Sequence, residues 1–132
     1  MVSVELSTRE SDGQAVVMLR GELDVADAAR VAASLAVVAG IGCTVILDLE
    51  GLAFIDSSGL AALVHARQHA RRAGFDLLLA APQQQVLRML AITRLADVFA
   101  VHSCVDEAAG IAGPMSAAIG PAAGSPVVLA VT

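Results

Sequence analysis

Residues 44–60 read TVILDLEGLAFIDSSGL, and this stretch decides the fold. Residues 44–49 form a short apolar run of the kind found in a strand that is covered on both faces of a sheet. The rest of the stretch is rich in turn-forming residues and leads into a run with helical spacing, which we place at about residues 58–73. A buried strand followed by a turn and an amphipathic helix is typical of α/β domains.

The segments before this stretch continue the alternation. Residues 2–8 and 15–19 predict two strands, joined by the turn Ser11-Asp12-Gly13 into a hairpin. Residues 25–38 carry apolar side chains at helical spacing, and Gly40 follows as a stop signal. The N-terminal third of the chain therefore predicts two strands and a helix.

The segments after the stretch repeat the pattern. Residues 76–81 predict a second buried strand, and residues 98–101 predict a short last one. Pro82 marks the start of a short helix, and residues 105–118 predict a weak, alanine-rich helix. The apolar stripe expected on the short helix consists of Val86, Leu87, Leu90 and Ala91.

These elements predict the fold class and the domain boundaries. We expect one α/β domain over residues 1–118, with a mixed four- to five-stranded sheet covered by about four helices. Small residues and prolines in residues 119–132 favour a flexible C-terminal tail. The alternative is that VVLAV within the tail adds a strand or packs on the domain.

Composition excludes several classes of protein. The chain has 132 residues, of which 57% are hydrophobic and 16% charged, so it can bury a core without disulfides or metal. All eight basic residues are arginine and the net charge is −5, which disfavours binding to a nucleic acid backbone. Cys43 and Cys104 lie far apart in the sequence, and we expect reduced, buried thiols.

A membrane or secreted location is also disfavoured. Residues 108–132 are the longest stretch of low charge, but glycines and prolines interrupt it, so we expect no membrane span. The N-terminus carries acidic residues where a signal peptide would be basic and then apolar. We therefore expect a cytoplasmic protein.

The sequence lacks the common motifs of catalysis and cofactor binding. A P-loop needs a lysine, which the chain does not have, and Gly40-Ile41-Gly42 precedes a predicted strand rather than following one. His65 and His69 are four residues apart on the predicted helix, but no third metal ligand stands at a signature spacing. We predict no catalytic residue, no metal and no cofactor, and interpret the histidines as exposed polar groups.

Asp56, Ser57, Ser58 and Gly59 stand together where the predicted helix begins. Ser and Asp are favoured helix N-caps, so one interpretation is a purely structural role. A cap needs only one such side chain, however, and no capping box is completed. An exposed serine at a helix N-terminus is also suited to carry a phosphate, because the dipole and free N–H groups favour negative charge.

Two segments resemble those of STAS domains. Residues 21–24, Gly-Glu-Leu-Asp, are similar to the GELD segment of that family. Residues 46–60 resemble its strand followed by the phosphorylation motif D-S-S/T-G-L. The resemblance extends over roughly residues 2–110. By this likeness the chain is similar to the stand-alone anti-sigma-factor antagonists of bacteria.

The resemblance implies a partner switch. In that family the unphosphorylated antagonist binds an anti-sigma factor, a GHKL-type serine kinase, and so releases a sigma factor. The kinase phosphorylates the serine after the motif's aspartate, here Ser57, and a PP2C-type phosphatase removes the phosphate. By the same likeness Asp56 is the acidic neighbour, Ser58 and Gly59 begin the helix that meets the partner, and Asp24 is an acidic position nearby.

The family register, together with the deeper position of Ser58 in the helix, predicts that Ser57 takes the phosphate. A STAS binding module in a lipid-transport or stress-signalling complex is the alternative function. An enzyme is a third interpretation, for which the sequence offers no general base, metal set or phosphate-binding loop.

Overall fold

The computed structural model describes residues 4–112, along which strands and helices alternate. The elements in chain order are β1 (Val4–Ser11), β2 (Gln14–Leu23), α1 (Val25–Ala39), β3 (Val45–Asp48), β4 (Leu52–Ile55), α2 (Ser57–Arg72), β5 (Leu77–Ala80), α3 (Gln84–Ile92), β6 (Ala100–His102) and α4 (Val105–Ala112). The predicted domain boundary at residue 118 and the predicted tail at residues 119–132 lie outside the described residues.

A tight hairpin joins the first two strands. Ser11 pairs with Gln14, so only Asp12 and Gly13 connect β1 to β2. Both residues have positive φ, 52° and 78°, which is the conformation of the two-residue turn that favours Asp-Gly. The turn fixes the antiparallel register, and the predicted hairpin is confirmed.

The other strands all run parallel to β2, and β3 and β4 pair with it directly. The order across the sheet is β1-β2-β3-β5-β6, and β4 pairs with β2 off this path. Residues 15–18 of β2 pair with β3, and residues 21–23 pair with β4. The register shifts between Gly21 and Glu22, where Gly21 has a φ of 105° that favours glycine. As a result β3 and β4 lie one after the other along the same edge of β2.

Helices cover both faces of the sheet. On one face, α1, α2 and α3 contribute Val31, Leu63 and Val86 to the main core. On the other face, Ala108 of α4 packs with Ile46 of β3 in a smaller cluster. Neighbouring residues of β3 thus point into opposite cores, which confirms that this strand is buried on both faces.

Within residues 4–112 the sheet has six strands, whereas the sequence predicts four to five. The additional strand is β4, which lies in the passage that the sequence predicts to be rich in turns. It has only four residues, with Leu52 and Ile55 buried and the two between them exposed, so it shows no period-two alternation. The α/β class, the mixed sheet and the four helices found in this part of the chain are as predicted.

Two smaller predictions were wrong. In α3 only Val86 and Leu90 are buried, while Leu87 is 40% exposed and Ala91 is also exposed, because this nine-residue helix turns one narrow face to the sheet. The cysteines are free, as expected, but Cys104 is exposed because it precedes α4 at the surface. Cys43 is partly buried, and this burial raises the pKa of its thiol.

Candidate functional site

Two strand ends and two helix starts meet at one edge of the sheet. Leu23 and Ile55, the last residues of β2 and β4, are paired neighbours in the parallel register. One residue after each strand a helix begins, α1 after Asp24 and α2 after Asp56. The topology therefore brings Asp24 beside Asp56 and Ser57, although they come from separate segments of the sequence.

Asp56 is the N-cap of α2 and also binds the start of α1. Its Oδ1 accepts the Gly59 N–H at 2.9 Å, and its Oδ2 accepts the Val25 N–H at 3.2 Å. Its own N–H donates to the Leu23 carbonyl of β2 at 3.2 Å. Asp24 caps α1 by accepting a first-turn N–H at 3.0 Å. Both carboxylates thus lie where helix dipoles favour negative charge.

Because Asp56 is the cap, neither serine hydroxyl is needed to start the helix. Ser57 is the first residue of α2 and is exposed, whereas Ser58 is half-buried. Their N–H groups have no carbonyl a turn earlier in the helix to accept a bond. A phosphate on the Ser57 hydroxyl would lie near these N–H groups and the positive end of the helix dipole.

Gly59 is required by a close approach between α2 and the strand ends. The residue is buried, and a Cβ at this position would lie 2.7 Å from Ile55 Cγ1 and 2.9 Å from the Leu23 carbonyl oxygen. The predicted contact between Gly59 and a partner stays a prediction. What the structure gives this residue is a packing role that lets the helix begin directly against β2 and β4.

A groove of about 310 Å³ runs along α2 from Ser57. It lies between α2 and the segment that follows α3, and it is lined by Ser57, Leu60, Ala61, Val64, His65, Gln68, Thr93 and Leu95. Two further apolar side chains are exposed beside the site, Val25 at 73% and Phe54 at 39%. The surroundings of Ser57 therefore offer apolar area as well as charge.

Gln85 belongs to the site, and the sequence reasoning missed it. Its Oε1 accepts the Ile55 N–H at 2.9 Å, and its Nε2 donates to the Ile55 carbonyl at 2.9 Å. Gln83 donates to the Glu50 carbonyl at 2.7 Å. A glutamine in the first turn of a helix gives no sequence signal here, because its target is a backbone 30 residues away.

A second polar cluster lies at the start of α4, on the opposite face of the sheet from α2. The Glu107 carboxylate accepts the Ser103 hydroxyl at 2.7 Å and the Ser103 N–H at 3.3 Å, and it lies 3.3 Å from His102 Nδ1. The Ser103 hydroxyl, followed by the Ser103 N–H and His102, holds the pKa of Glu107 below its ordinary value. These contacts join β6 to α4.

The two histidines considered for metal binding, His65 and His69, lie on the surface of α2. Among residues 4–112, no group of three or more His, Cys, Asp or Glu side chains could hold a metal ion. In the same part of the chain, no helix has the length and apolar character needed to cross a membrane.

The fold and the site define a STAS domain. A model of that family matches residues 5–108, and the chain belongs to the STAS domain family. The chain is 27% identical to the anti-sigma-B factor antagonist of Listeria monocytogenes over 110 aligned residues. This alignment covers 83% of the chain and 96% of the Listeria protein.

Solved structures share the fold. An anti-sigma factor antagonist from Mycobacterium paratuberculosis has a TM-score of 0.76 at 22% identity, covering 83% of this chain and 94% of that one. The phosphorylated form of the Bacillus protein SpoIIAA has a TM-score of 0.59 at 20% identity, covering 78% and 97%. The predicted STAS fold is confirmed.

Proposed function

We propose that the chain is an anti-sigma-factor antagonist whose binding is controlled by phosphorylation of Ser57. The unphosphorylated form binds an anti-sigma factor, a GHKL-type serine kinase, in the cytoplasm, and a sigma factor is released. Phosphorylation of Ser57 ends this complex, and a PP2C-type phosphatase restores the binding form. The Listeria relative that bears the name of an anti-sigma-B factor antagonist is matched along 96% of its length, which supports the proposal.

One observation carries this proposal. Ser57 is an exposed hydroxyl at the first position of α2, and the capping role that would otherwise explain it belongs to Asp56. The hydroxyl therefore stands on an ordered helix with no structural task of its own, next to two carboxylates. These features suit a modification site at the edge of a contact surface.

The chain acts as a substrate and a binding partner, not as a catalyst. In the kinase, the Ser57 Oγ attacks the γ-phosphorus of ATP, the bond between this phosphorus and ADP breaks, and the hydroxyl proton passes to a base of the kinase. In the phosphatase, water attacks the same phosphorus, so that Ser57 is restored and inorganic phosphate leaves. Both steps draw their catalytic groups from the partner enzymes.

Phosphorylation opposes binding through charge. A phosphate adds about −1.5 to −2 charges at neutral pH to a surface that already contains Asp24 and Asp56. If a partner covers Ser57, this charge must be desolvated beside two carboxylates, which is costly without a compensating cation. The unmodified hydroxyl carries no such cost, so the unphosphorylated form binds more tightly.

The same surface also gives the partner something to hold. Val25 and Phe54 are exposed apolar side chains beside the phosphate acceptor, and the groove along α2 begins at Ser57. Burial of apolar side chains favours association, while complementary charges mainly set specificity and association rate. A kinase that buries Ser57 also covers this apolar area.

Phosphosite mapping tests the assignment of Ser57. The wild-type chain and the Ser57→Ala and Ser58→Ala variants are incubated with ATP and the kinase recovered with the chain from its native cell. We expect one phosphate on the wild type and on the Ser58→Ala variant, and none on the Ser57→Ala variant, by mass spectrometry of the peptides. Ser58→Ala is the matched control, because it removes the neighbouring hydroxyl.

Two outcomes contradict this proposal. Modification of Ser58 alone overturns the assignment of the acceptor. Recovery of a transport complex without any kinase, together with an unmodified Ser57, favours the alternative in which the STAS domain is a binding module of another assembly.

A further inference from the structure

One edge of β4 has no neighbouring strand among the described residues. β3 lies between β2 and β5, but β4 continues along β2 beyond the end of β3, and β5 ends at Ala80, which pairs with Asp48 of β3. The sheet therefore covers one side of β4 and leaves the other side open. Backbone groups on an open edge need another partner when they are buried.

Gln85 supplies that partner. Its carboxamide offers one acceptor and one donor at the spacing of a peptide group, and it bonds both the N–H and the carbonyl of Ile55 at 2.9 Å. Ile55 is fully buried, so water does not reach its backbone. If Gln85 were shortened, both the N–H and the carbonyl of Ile55 would lose their hydrogen-bond partner. The side chain of α3 thus takes the place of a missing strand.

We propose that Gln85 is a positioning residue for the phosphorylation of Ser57, an inference that rests on the proposed function. Gln85 holds Ile55 from one side, while the Asp56 N–H bonds the Leu23 carbonyl on the other. The two residues before Ser57 are therefore fixed from both sides. This clamp sets the direction in which the chain leaves β4 and hence the position of the Ser57 hydroxyl.

The position of the Ser57 hydroxyl affects the rate of phosphate transfer. The reacting oxygen and phosphorus must lie about 3–3.5 Å apart and in line, and a displacement of about 1 Å can reduce the rate about a hundredfold. Gln85 does not touch the reacting atoms. It acts through Ile55 and Asp56, so its loss is expected to lower the rate of phosphate transfer in addition to destabilising the end of β4.

Gln83 provides a matched control. It lies two residues before Gln85 and also donates from Nε2 to a backbone carbonyl, that of Glu50 at 2.7 Å. Its bond holds the connection between β3 and β4 and not the end of β4. Gln83→Ala thus removes a similar hydrogen bond from the start of the same helix without releasing Ile55.

The first arm of the test needs no kinase. Amide hydrogen exchange is measured by NMR on the full chain as wild type and as the Gln85→Ala and Gln83→Ala variants. In Gln85→Ala only, we expect the Ile55 amide to exchange at least about tenfold faster than in the wild type, because the Ile55 N–H loses its acceptor. Peak shifts should extend to Ser57 and Gly59. Shifts confined to α3, with Ile55 exchanging as in the wild type, would overturn the clamp.

The second arm measures phosphorylation of the same proteins by the recovered kinase and ATP. We expect kcat/KM to fall about tenfold in Gln85→Ala and to stay within about twofold in Gln83→Ala. Gln85→Glu keeps the length and the acceptor but loses the donor, so it should fall between them. The urea midpoints of the variants and the wild type are compared, so that a loss of stability can be told from a loss of rate.

The two proposals fail in different ways. If the wild type is not phosphorylated at Ser57, the proposed function is wrong, and the exchange arm still decides whether Gln85 holds Ile55. If the wild type is phosphorylated and Gln85→Ala matches Gln83→Ala in rate, Gln85 is not a positioning residue.

Discussion

A carboxylate has two oxygens and can accept hydrogen bonds from two directions at once. Asp56 uses both oxygens, one for the Gly59 N–H of its own helix and one for the Val25 N–H of α1. The residue directly before Ser57 is therefore tied to two helices and, through its own N–H, to β2. Folding alone therefore orders the segment around the proposed phosphorylation site.

Gly59 gives a prediction at the residue scale. In most helices Gly→Ala stabilises by about 1 kcal/mol. At Gly59 the new Cβ would lie within 3 Å of Ile55 and Leu23, and the resulting overpacking costs about 1–3 kcal/mol. After the helix gain is subtracted from this cost, we expect Gly59→Ala to lower the free energy of unfolding by up to about 2 kcal/mol, measured by urea denaturation.

Gly110 is the control for this prediction. It lies in α4, and a Cβ there meets no heavy atom of the described residues within 4 Å, so Gly110→Ala should leave the stability unchanged or raise it slightly. A Gly59→Ala variant as stable as Gly110→Ala would contradict the close approach of α2 to the strand ends.

At the scale of elements, the sequence predicts helices and strands best where the hydrophobic pattern is long and ends at turn-forming or helix-stopping residues. The hairpin turn, β3 and α2 each carry such a signal, namely Asp12-Gly13, a six-residue apolar run, and an amphipathic face that ends near Gly74. β4 could not be found in this way, because four residues with a buried–exposed–exposed–buried pattern have no period.

Some residues of the candidate site can likewise be predicted from the sequence, and others cannot. Ser57 and its neighbours were recognisable from local residue types and from the resemblance to STAS domains, and the fold brings Asp24 next to them. The choice between Asp56 and the serines as helix cap needed coordinates, since all three residue types can cap. Gln85 also needed them, because its bonds depend on how α3 packs beside β4.

The junction of β6 and α4 gives a prediction about pH. The pKa of Glu107 is lowered in the folded chain by the Ser103 hydroxyl and N–H, so the ionised form stabilises the fold. This contribution is present above the unfolded pKa and is lost as the pH falls through the folded one. NMR titration should therefore give Glu107 a pKa below that of an unstructured glutamate.

Ser103→Ala is the matched variant for this titration. It removes the hydroxyl that bonds Glu107 at 2.7 Å and keeps the backbone donor, so the pKa of Glu107 should rise toward its ordinary value without reaching it. An unchanged pKa in the variant would show that the hydroxyl does not stabilise the carboxylate.

At the scale of the whole molecule, the proposed switch changes a surface and not a fold. A phosphate at the start of α2 gains about 0.3–1 kcal/mol from the helix dipole, and its repulsion from an exposed acid costs a comparable amount. These contributions nearly cancel in folding. They do not cancel in binding, where a partner must remove water from the phosphate and from Asp24 and Asp56 together.

The central claim is that negative charge at Ser57, rather than a larger side chain, weakens the complex with the anti-sigma factor. Titration calorimetry of the recovered anti-sigma factor with Ser57→Ala, Ser57→Asn and Ser57→Asp tests it most directly, because Asn has the size of Asp without its charge. We expect Ser57→Ala and Ser57→Asn to bind with similar affinity and Ser57→Asp at least about tenfold more weakly, with unchanged urea midpoints. Equal affinities for Ser57→Asp and Ser57→Asn would contradict the account, since charge at this position would then have no effect on binding.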